Sequence, residues 1–582
     1  MKRRGVWKRF AGGPAALLPP LLALLIYFPS LFSRSFLRDD WHIIVENPVL
    51  QGPLGAALKG IWSTGYWQAV WGGGATISEY RPITMLTFLA DFRLFGLAPG
   101  PMHVQNILLH AANCFLLLML LRRFLSSRAA WIAALFFAVM PVHSEAVCGI
   151  VNRTELLAMF WVLCAWLALD GEPGPPRIAA GTAFYLLGLL SKEHVILFPV
   201  VLAMSDWALR KRNPWGRGRL AAQISLWTAS ALYLLVRAMV FGRPLRGGPS
   251  YFAGISPLVQ ALTTARFWTE RYLWPAVTGL GLGIDLSRPL IPDSGPSDII
   301  AWLCLALLLG GAAMSAWHFV RRRSAWTFWI LGPSLFLLPT SHLLIPLDAL
   351  GAQRFLYLPS ISVAAGAGWL VDRLMQVSRL RRPAVAAFAV LALSQAGHTV
   401  SRARIWRSDL SYYADATRFN PVSPGARIGL GVALLEAGDR AGAAREFQES
   451  VRLDPGFSPG WYNLGKLAWE SGRAENAEDM FRRAAALNPE DASTLDFLAL
   501  AAQRRGSGRE AESFYLSALA VQPRDAAALF NLGRLYWTEN SRDKARGIWT
   551  RFLELFPDDP DAPAVRRALT EKENRKGSGK KG

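Results

Sequence analysis

The sequence predicts an all-α protein in two parts, a polytopic transmembrane helical bundle of about 11 spans followed by a soluble α-solenoid. Three observations carry that expectation. Apolar runs of membrane-crossing length concentrate before Ser401, short basic clusters separate them, and from about Pro421 onward proline, small and aromatic residues recur at a fixed interval.

With 582 residues the chain is too long for one domain, and hydrophobic residues make up 52% of it. The expected division is a membrane domain over 1–400, a repeat array over 401–570 that includes one preceding helix, and a disordered basic tail over 571–582. A net charge of +21 could suggest nucleic acid. The basic residues, however, fall in short clusters between apolar runs and form no stripe on a folded domain, so nucleic acid is not an expected partner and the lipid bilayer is. The four cysteines, Cys114, Cys148, Cys164 and Cys304, lie in or beside apolar segments without CxxC spacing, which argues against a disulfide framework and against zinc.

The first apolar run, Ala15 to Phe32, follows Lys2, Arg3, Arg4, Lys8 and Arg9 as a signal peptide would, but no small-residue cleavage site comes after it. A retained first span is expected. Further spans are expected at about 104–122, 129–145, 154–170, 178–191, 194–210, 220–241, 298–320, 325–346, 355–372 and 384–400. With the N-terminus inside, one side collects Arg122, Arg123 and Arg128, then Arg210, Lys211, Arg212, Arg217 and Arg219. Arg321, Arg322 and Arg323, then Arg373, Arg379, Arg381 and Arg382, fall on that side too. Loops 34–103 and 242–297 and the repeats are then expected outside, as in a bacterial inner membrane. Pro82 to Ala98 carries Asp91 and Arg93 and reads as an interfacial helix, since counting it as a crossing would put the later basic clusters outside.

Pro421, Pro455, Pro489, Pro523 and Pro557 are 34 residues apart, and Gly438, Gly472, Gly506 and Asn540 share the period. That interval is the signature of tetratricopeptide (TPR) helix pairs. Ala443, Ala477, Ala511 and Ala545 mark where two helices approach, and one turn later come Phe447, Phe481, Tyr515 and Trp549. Leu430-Gly431, Leu464-Gly465, Leu498-Ala499 and Leu532-Gly533 repeat in the first helix of each pair. These stripes are helix packing and carry no chemistry, while a stack of such pairs presents a concave face suited to extended polypeptide or serves as architecture alone.

In the membrane part, Asp39-Asp40 stand just past the outer end of the first span. In the expected topology Glu79, Tyr80, Arg81, His103, Asn106, His110, His143, Glu145 and Arg153 lie at or near the same face, joined by Lys192, Glu193, His194, Gln353, Arg354 and Tyr357. Convergence of carboxylates, histidines and cations on one membrane face describes a site better than scattered helix ends do. Such a set suits a reaction in which a base takes a hydroxyl proton while cations hold an anionic phosphate. The bland alternatives are a hydrated helix terminus for the acid pair, a loop-closing ion pair for Lys192-Glu193 and snorkelling at span ends for Arg153 and Arg354. His143 and Glu145 fall short of a metal-ligand set, so no metal is expected.

The runs Asp39-Asp40-Trp41-His42-Ile43-Ile44 with Asn47-Pro48, Tyr80-Arg81-Pro82, Asn106-Ile107-Leu108-Leu109-His110, Pro141-Val142-His143-Ser144-Glu145-Ala146-Val147, Lys192-Glu193 and Arg354-Phe355-Leu356-Tyr357-Leu358-Pro359-Ser360 resemble the transmembrane and TPR-containing O-mannosyltransferases. The resemblance covers nearly the whole chain. It implies a GT-C-like glycosyltransferase that uses a polyprenyl-phosphate sugar, by the family name mannose, on the non-cytoplasmic side and needs no cofactor. It also implies that Asp39 or Asp40 is the catalytic carboxylate of the first outer loop. Gln353 stands where the family more often has Glu, and Asn152 precedes Arg153 where Gly is usual.

The expected function is therefore transfer of a sugar to Ser or Thr hydroxyls of a polypeptide offered by the TPRs. Asp39 and Asp40 are the expected catalytic residues; Glu79, Arg81, His143, Glu145, Arg153, Lys192, Glu193, Arg354 and Tyr357 are expected to bind donor phosphate or acceptor. Two other readings stand beside it, a non-catalytic membrane-anchored TPR scaffold and a GT-C enzyme that glycosylates a lipid or polysaccharide.

Overall fold

The computed structural model describes residues 14–33, 35–37, 39–67, 79–210, 216–242, 251–284, 293–342 and 350–578. Lys2, Arg3, Arg4, Lys8, Arg9, Lys211, Arg212, Lys580 and Lys581 lie outside the described residues. All regular structure among the described residues is helical. The chain divides into two compact units, Met1–Asn420 and Pro421–Gly582. The first unit runs past the expected boundary at residue 400 because the helices Arg381–Ile405 and Asp409–Phe419 share its core. Arg402 pairs with Asp415 at 2.8 Å, and Trp406 meets Tyr412 edge-on with ring centroids 5.0 Å apart.

In the first unit five helices are long and apolar enough to cross a membrane: Pro14–Phe32, Pro99–Leu121, Arg217–Phe241, Ile299–Arg322 and Arg381–Ile405. A sixth span arises if Ser127–Val139 and Pro141–Cys148, bent by 51° at Met140, count as one. Pro141 explains the break, since it cannot donate to the preceding turn. The other expected spans coincide with shorter helices, among them Arg153–Leu169 with 17 residues, Pro175–Leu189 with 15 and Ile361–Gln376 with 16. These fall short of the roughly 20 residues that cross a hydrocarbon core unaided. Length and composition thus single out fewer spans than the apolar runs of the sequence do. Pro82–Phe95, expected to lie at the interface, is a helix of 14 residues.

The two ends of this unit differ in chemistry. At one end basic residues meet isolated aspartates: Asp170 takes Arg123 at 2.9 Å and also pairs with Arg210, Asp206 takes Arg219 at 2.8 Å, and Asp372 takes Arg128. The helix Pro99–Leu121, about 35 Å long at 1.5 Å per residue, leads from there to the end that carries the polar motifs of the sequence.

The second unit contains the helix pairs Pro424–Glu436/Arg440–Leu453, Ser458–Glu470/Ala474–Leu487, Ala492–Arg504/Gly508–Val521 and Ala526–Thr538/Arg542–Leu555, then Ala562–Ser578. The 34-residue period of glycines is explained by the backbone: Gly438, Gly472 and Gly506 turn between paired helices at φ +88°, +77° and +79°. Asn540 takes the same place at φ +61°, the non-glycine residue that best tolerates it. Within pairs the glycine before the turn makes room for an aromatic ring: a Cβ on Gly465 would stand 2.8 Å from Phe481, and one on Gly533 2.3 Å from Trp549. The final helix continues to Ser578, into the stretch whose basic, glycine-containing composition suggested disorder; the Glu- and Lys-rich run Glu571 to Lys576 has good helix propensity.

Candidate active site

The acid pair sits where the chain leaves the first span, and the fold gives its two members different surroundings. Asp40 is 2% exposed. Its Oδ2 accepts the Leu37 N–H at 3.2 Å, and its Oδ1 accepts the Val151 N–H at 2.8 Å. It therefore ties the loop after the first span to the turn that precedes Arg153. Burial pushes its carboxyl up to about 7 against these backbone hydrogen bonds, and the neighbouring Asp39 pushes the same way. Asp39 is half-buried.

Tyr66 connects the acid pair to a second group. Its hydroxyl donates to the Val151 carbonyl at 3.3 Å, and its ring lies 5.2 Å from the Arg81 guanidinium. Arg81 holds Glu79 at 2.8 Å through Nη1 and forks onto Glu193 through Nε at 3.2 Å and Nη2 at 3.0 Å. Burial disfavours both charges, but each partner overrides it: Glu193 and Glu79 hold Arg81 above its ordinary pKa, and Arg81 holds Glu193 well below the usual carboxylate range. Glu79 also accepts the Trp67 indole N–H at 3.2 Å.

The third group lies around Phe355. Lys192 is buried in an ion pair with Glu155, with its ammonium 5.2 Å from the Phe355 ring. Arg354 approaches the same ring at 5.5 Å and forms an ion pair with Glu145, whose other oxygen accepts the Arg354 backbone N–H at 3.0 Å. Arg354 is the most accessible of the three cations, with 28% of its side chain exposed. Burial lowers the Lys192 pKa, opposed by Glu155 and reinforced by Arg81 and Arg354. Lys192 and Glu193 are adjacent in the chain, so the third group adjoins the second.

The structure thus links Asp40 to Arg81, Glu79 and Glu193 through Val151 and Tyr66, sets Glu145, Lys192 and Arg354 around Phe355, leaves Asp39 half-buried next to Asp40, and gives three other candidates partners of their own. Arg153 is fully buried: it forms an ion pair with Asp91 at 2.6 Å, donates to Asn106 Oδ1 at 2.8 Å and to the Met102 carbonyl at 3.1 Å, and faces Phe88 at 4.9 Å. His143 and Tyr357 belong to a sealed cluster in the helical core. His143 meets Ser360 Oγ at 2.8 Å, and the Tyr357 hydroxyl meets His110 Nδ1 at 2.7 Å and Asn113 at 3.2 Å. All three residues are fully buried. Glu155 and Tyr66 were missed in the sequence. A carboxylate one turn into an apolar run was a readable signal for Glu155, whereas Tyr66 lies in a stretch with no pattern to single it out.

A family model for the tetratricopeptide repeat matches residues 410–457, 429–492 and 498–562. The chain is similar to Protein O-mannosyl-transferase TMTC3 of Mus musculus, 26% identical over 74% of this chain and 50% of that protein. It is similar also to Protein O-mannosyl-transferase TMTC4 of Mus musculus, 28% identical over 74% of this chain and 66% of that protein. A solved structure of a thermophilic TPR protein in Thermus thermophilus is 21% identical over 34% of this chain and 98% of that chain, with a TM-score of 0.25. The chain spans between half and two thirds of the length of these two curated relatives. The similarity to transmembrane, TPR-containing O-mannosyltransferases read from the ordered motifs is borne out.

Proposed function

We propose that the chain is a membrane glycosyltransferase that moves a sugar, by likeness to its relatives mannose, from a polyprenyl-phosphate carrier to Ser or Thr hydroxyls of a polypeptide on the non-cytoplasmic side. The observation that carries the reading is the unequal acid pair. Asp40 is immobilised by two backbone amides, which leaves Asp39 as the carboxylate that an incoming hydroxyl can reach.

In this reading Asp39 takes the proton from the acceptor hydroxyl as its oxygen bonds to the anomeric carbon. The bond from that carbon to the phosphate oxygen breaks, and the electron pair leaves with polyprenyl phosphate, so the anomeric configuration inverts. Arg354 and Lys192 are the cations for the phosphate, which would exchange places with part of the Glu145 and Glu155 carboxylate contact. Arg81, clamped between Glu79 and Glu193, positions Tyr66 and through it the acid-pair loop. Arg153, His143 and Tyr357 act behind the site by fixing the helices that carry it. The basic loops lie in the cytoplasm, and the TPR unit presents the polypeptide acceptor.

The test is transfer from polyprenyl-phosphate mannose to acceptor peptides by purified full-length protein. Asp39→Asn should lower the rate about 100-fold or more, the size of a lost general base, with donor binding intact. Arg354→Ala should weaken donor binding, because its partner is a phosphate present before and after transfer. Wild-type rates for Asp39→Asn and Asp40→Asn, singly and together, would leave the pair a structural role at the span terminus and favour a scaffold. Transfer to lipid with none to peptide would favour the lipid- or polysaccharide-directed alternative.

A further inference from the structure

At the basic end of the first unit, an open cavity of about 550 Å³ lies where the ends of the helices Phe198–Ala208 and Ile299–Arg322 meet the start of Ala325–Ser334. Its wall includes Leu209, His318, Arg322, Arg323, Ser324 and Trp326, and no carboxylate. That composition sets it apart from the rest of this end. Arg123, Arg210, Arg219 and Arg128 are each matched by an aspartate, whereas Arg322 and Arg323 form no ion pair with a carboxylate among the described residues.

Three features organise the wall for an anion. Arg323 turns the chain in the left-handed region at φ +44°, and its guanidinium stacks 3.6 Å over the Trp207 ring, which fixes the direction of its charge. Ser324 begins the next helix without a side-chain hydrogen bond to it, so the first-turn amides are left to a ligand or to water. His318 stands against Trp326 with ring centroids 5.6 Å apart. On the face of Ile299–Arg322 that carries His318 and Arg322, Leu303, Leu307 and Met314 recur at helical spacing and are all exposed.

We propose that this cavity seats the headgroup of an anionic membrane lipid. Its phosphate lies against Arg322, Arg323 and the first turn of Ala325–Ser334, and its acyl chains run along the exposed Leu303, Leu307 and Met314 on the same helix face. A soluble phosphate would use the same cations, but it would leave this adjoining apolar face without a partner. With the basic loops inside, the cavity opens toward the cytoplasmic leaflet, where basic pockets between helices meet anionic headgroups. The proposal is independent of the transfer chemistry at the opposite end.

The experiment is native mass spectrometry of the full-length protein in detergent, titrated separately with phosphatidylglycerol, phosphatidylcholine and inorganic phosphate. Phosphatidylglycerol should bind in preference to phosphatidylcholine, and Arg322→Gln with Arg323→Gln should weaken it about 10- to 30-fold, from two arginines at roughly a tenfold or less each. Ser324→Glu, which sets a carboxylate at the same wall and leaves both arginines in place, should give a comparable loss and serves if the double variant does not fold. Arg321→Gln, one residue outside the wall, should change affinity less than about threefold. An equal loss with Arg321→Gln would reduce the effect to general surface charge and overturn the proposal. So would unchanged binding by both wall variants, or inorganic phosphate binding as tightly as the lipid with the same dependence on the two arginines.

Discussion

The two units handle charge in opposite ways. In the repeat unit the ion pairs Arg482–Glu478 and Arg505–Glu510 lie on the surface, with 50% and 43% of the arginine side chains exposed. In the first unit Arg153–Asp91, Lys192–Glu155 and Arg219–Asp206 are almost wholly buried. An exposed pair contributes about 0–1 kcal/mol, because water screens it and two long side chains lose freedom. A buried pair gains more Coulomb energy but loses the hydration of both ions, so its net stabilisation is small while the loss of one partner is severe. Charge therefore decorates the solenoid and positions the helices of the membrane unit.

The comparison breaks first at Arg153. Arg153→Leu should destabilise the purified protein by about 3–5 kcal/mol, because it leaves the Asp91 carboxylate buried without its partner. Thermal unfolding in detergent measures this, and adding Asp91→Leu should recover much of the loss. A single variant as stable as wild type would mean that the buried pair does not position the site.

The next effect is one of packing, and it belongs to the solenoid. Gly533→Ala should cost about 1–3 kcal/mol in urea unfolding of the isolated second unit, since the new methyl would stand 2.3 Å from the Trp549 ring. The third pair carries Ala499 in the register of Gly533 and Tyr515 in that of Trp549, both buried, so this array packs the methyl in that combination. Gly533→Ala together with Trp549→Tyr should therefore recover part of the stability.

One carboxyl in the solenoid departs from its surface rule and sharpens the comparison. Asp496 is buried at a helix position where Tyr462 and Phe530 stand in the neighbouring repeats. Burial, with Asp525 and then Asp491 acting the same way, pushes its carboxyl up to about 8. The folded state thus keeps a proton that the unfolded chain gives up near pH 4, so this stability is present at low pH and is lost as pH rises through about 8. The isolated unit should lose stability between about pH 5 and 8, by up to about 4 kcal/mol, and Asp496→Asn should flatten that slope. A slope unchanged in the variant would assign it to other groups.

The smallest effect is expected at the surface. Arg505→Ala should shift the stability of the second unit by less than about 1 kcal/mol, and less still in high salt, although Arg505 meets both Glu478 and Glu510 at 2.9 and 2.8 Å. A loss near that of Arg153→Leu would erase the contrast between the units.

The solenoid was almost fully legible in the sequence because each of its contacts is local. Ala443 and Phe447 lie one turn apart, and Gly438 turns the chain between adjacent helices, so a period in one dimension reports the packing directly. The candidate site was legible as a set of motifs and not as an arrangement. Asp39 and Asp40 are neighbours in one motif, yet only folding brings the Val151 N–H against Asp40 and leaves Asp39 accessible. Arg81 and Glu193 form a fork across 112 positions of sequence, and no spacing rule predicts it.

What the sequence determined by itself was the all-helical class, the apolar runs, the 34-residue period and the polar residue types gathered toward one end of the first unit. Each follows from composition or from contacts within a turn or two. Tertiary structure alone decided which charges face the site and which lie behind it. Arg153 and Arg354 read alike in the sequence as cations at span ends, but Asp91 and Asn106 enclose one while the other keeps more than a quarter of its side chain in the open. Burial is set by everything that packs around a residue, and those neighbours come from segments far apart in the chain, so the same residue type carries either role until the fold closes over it.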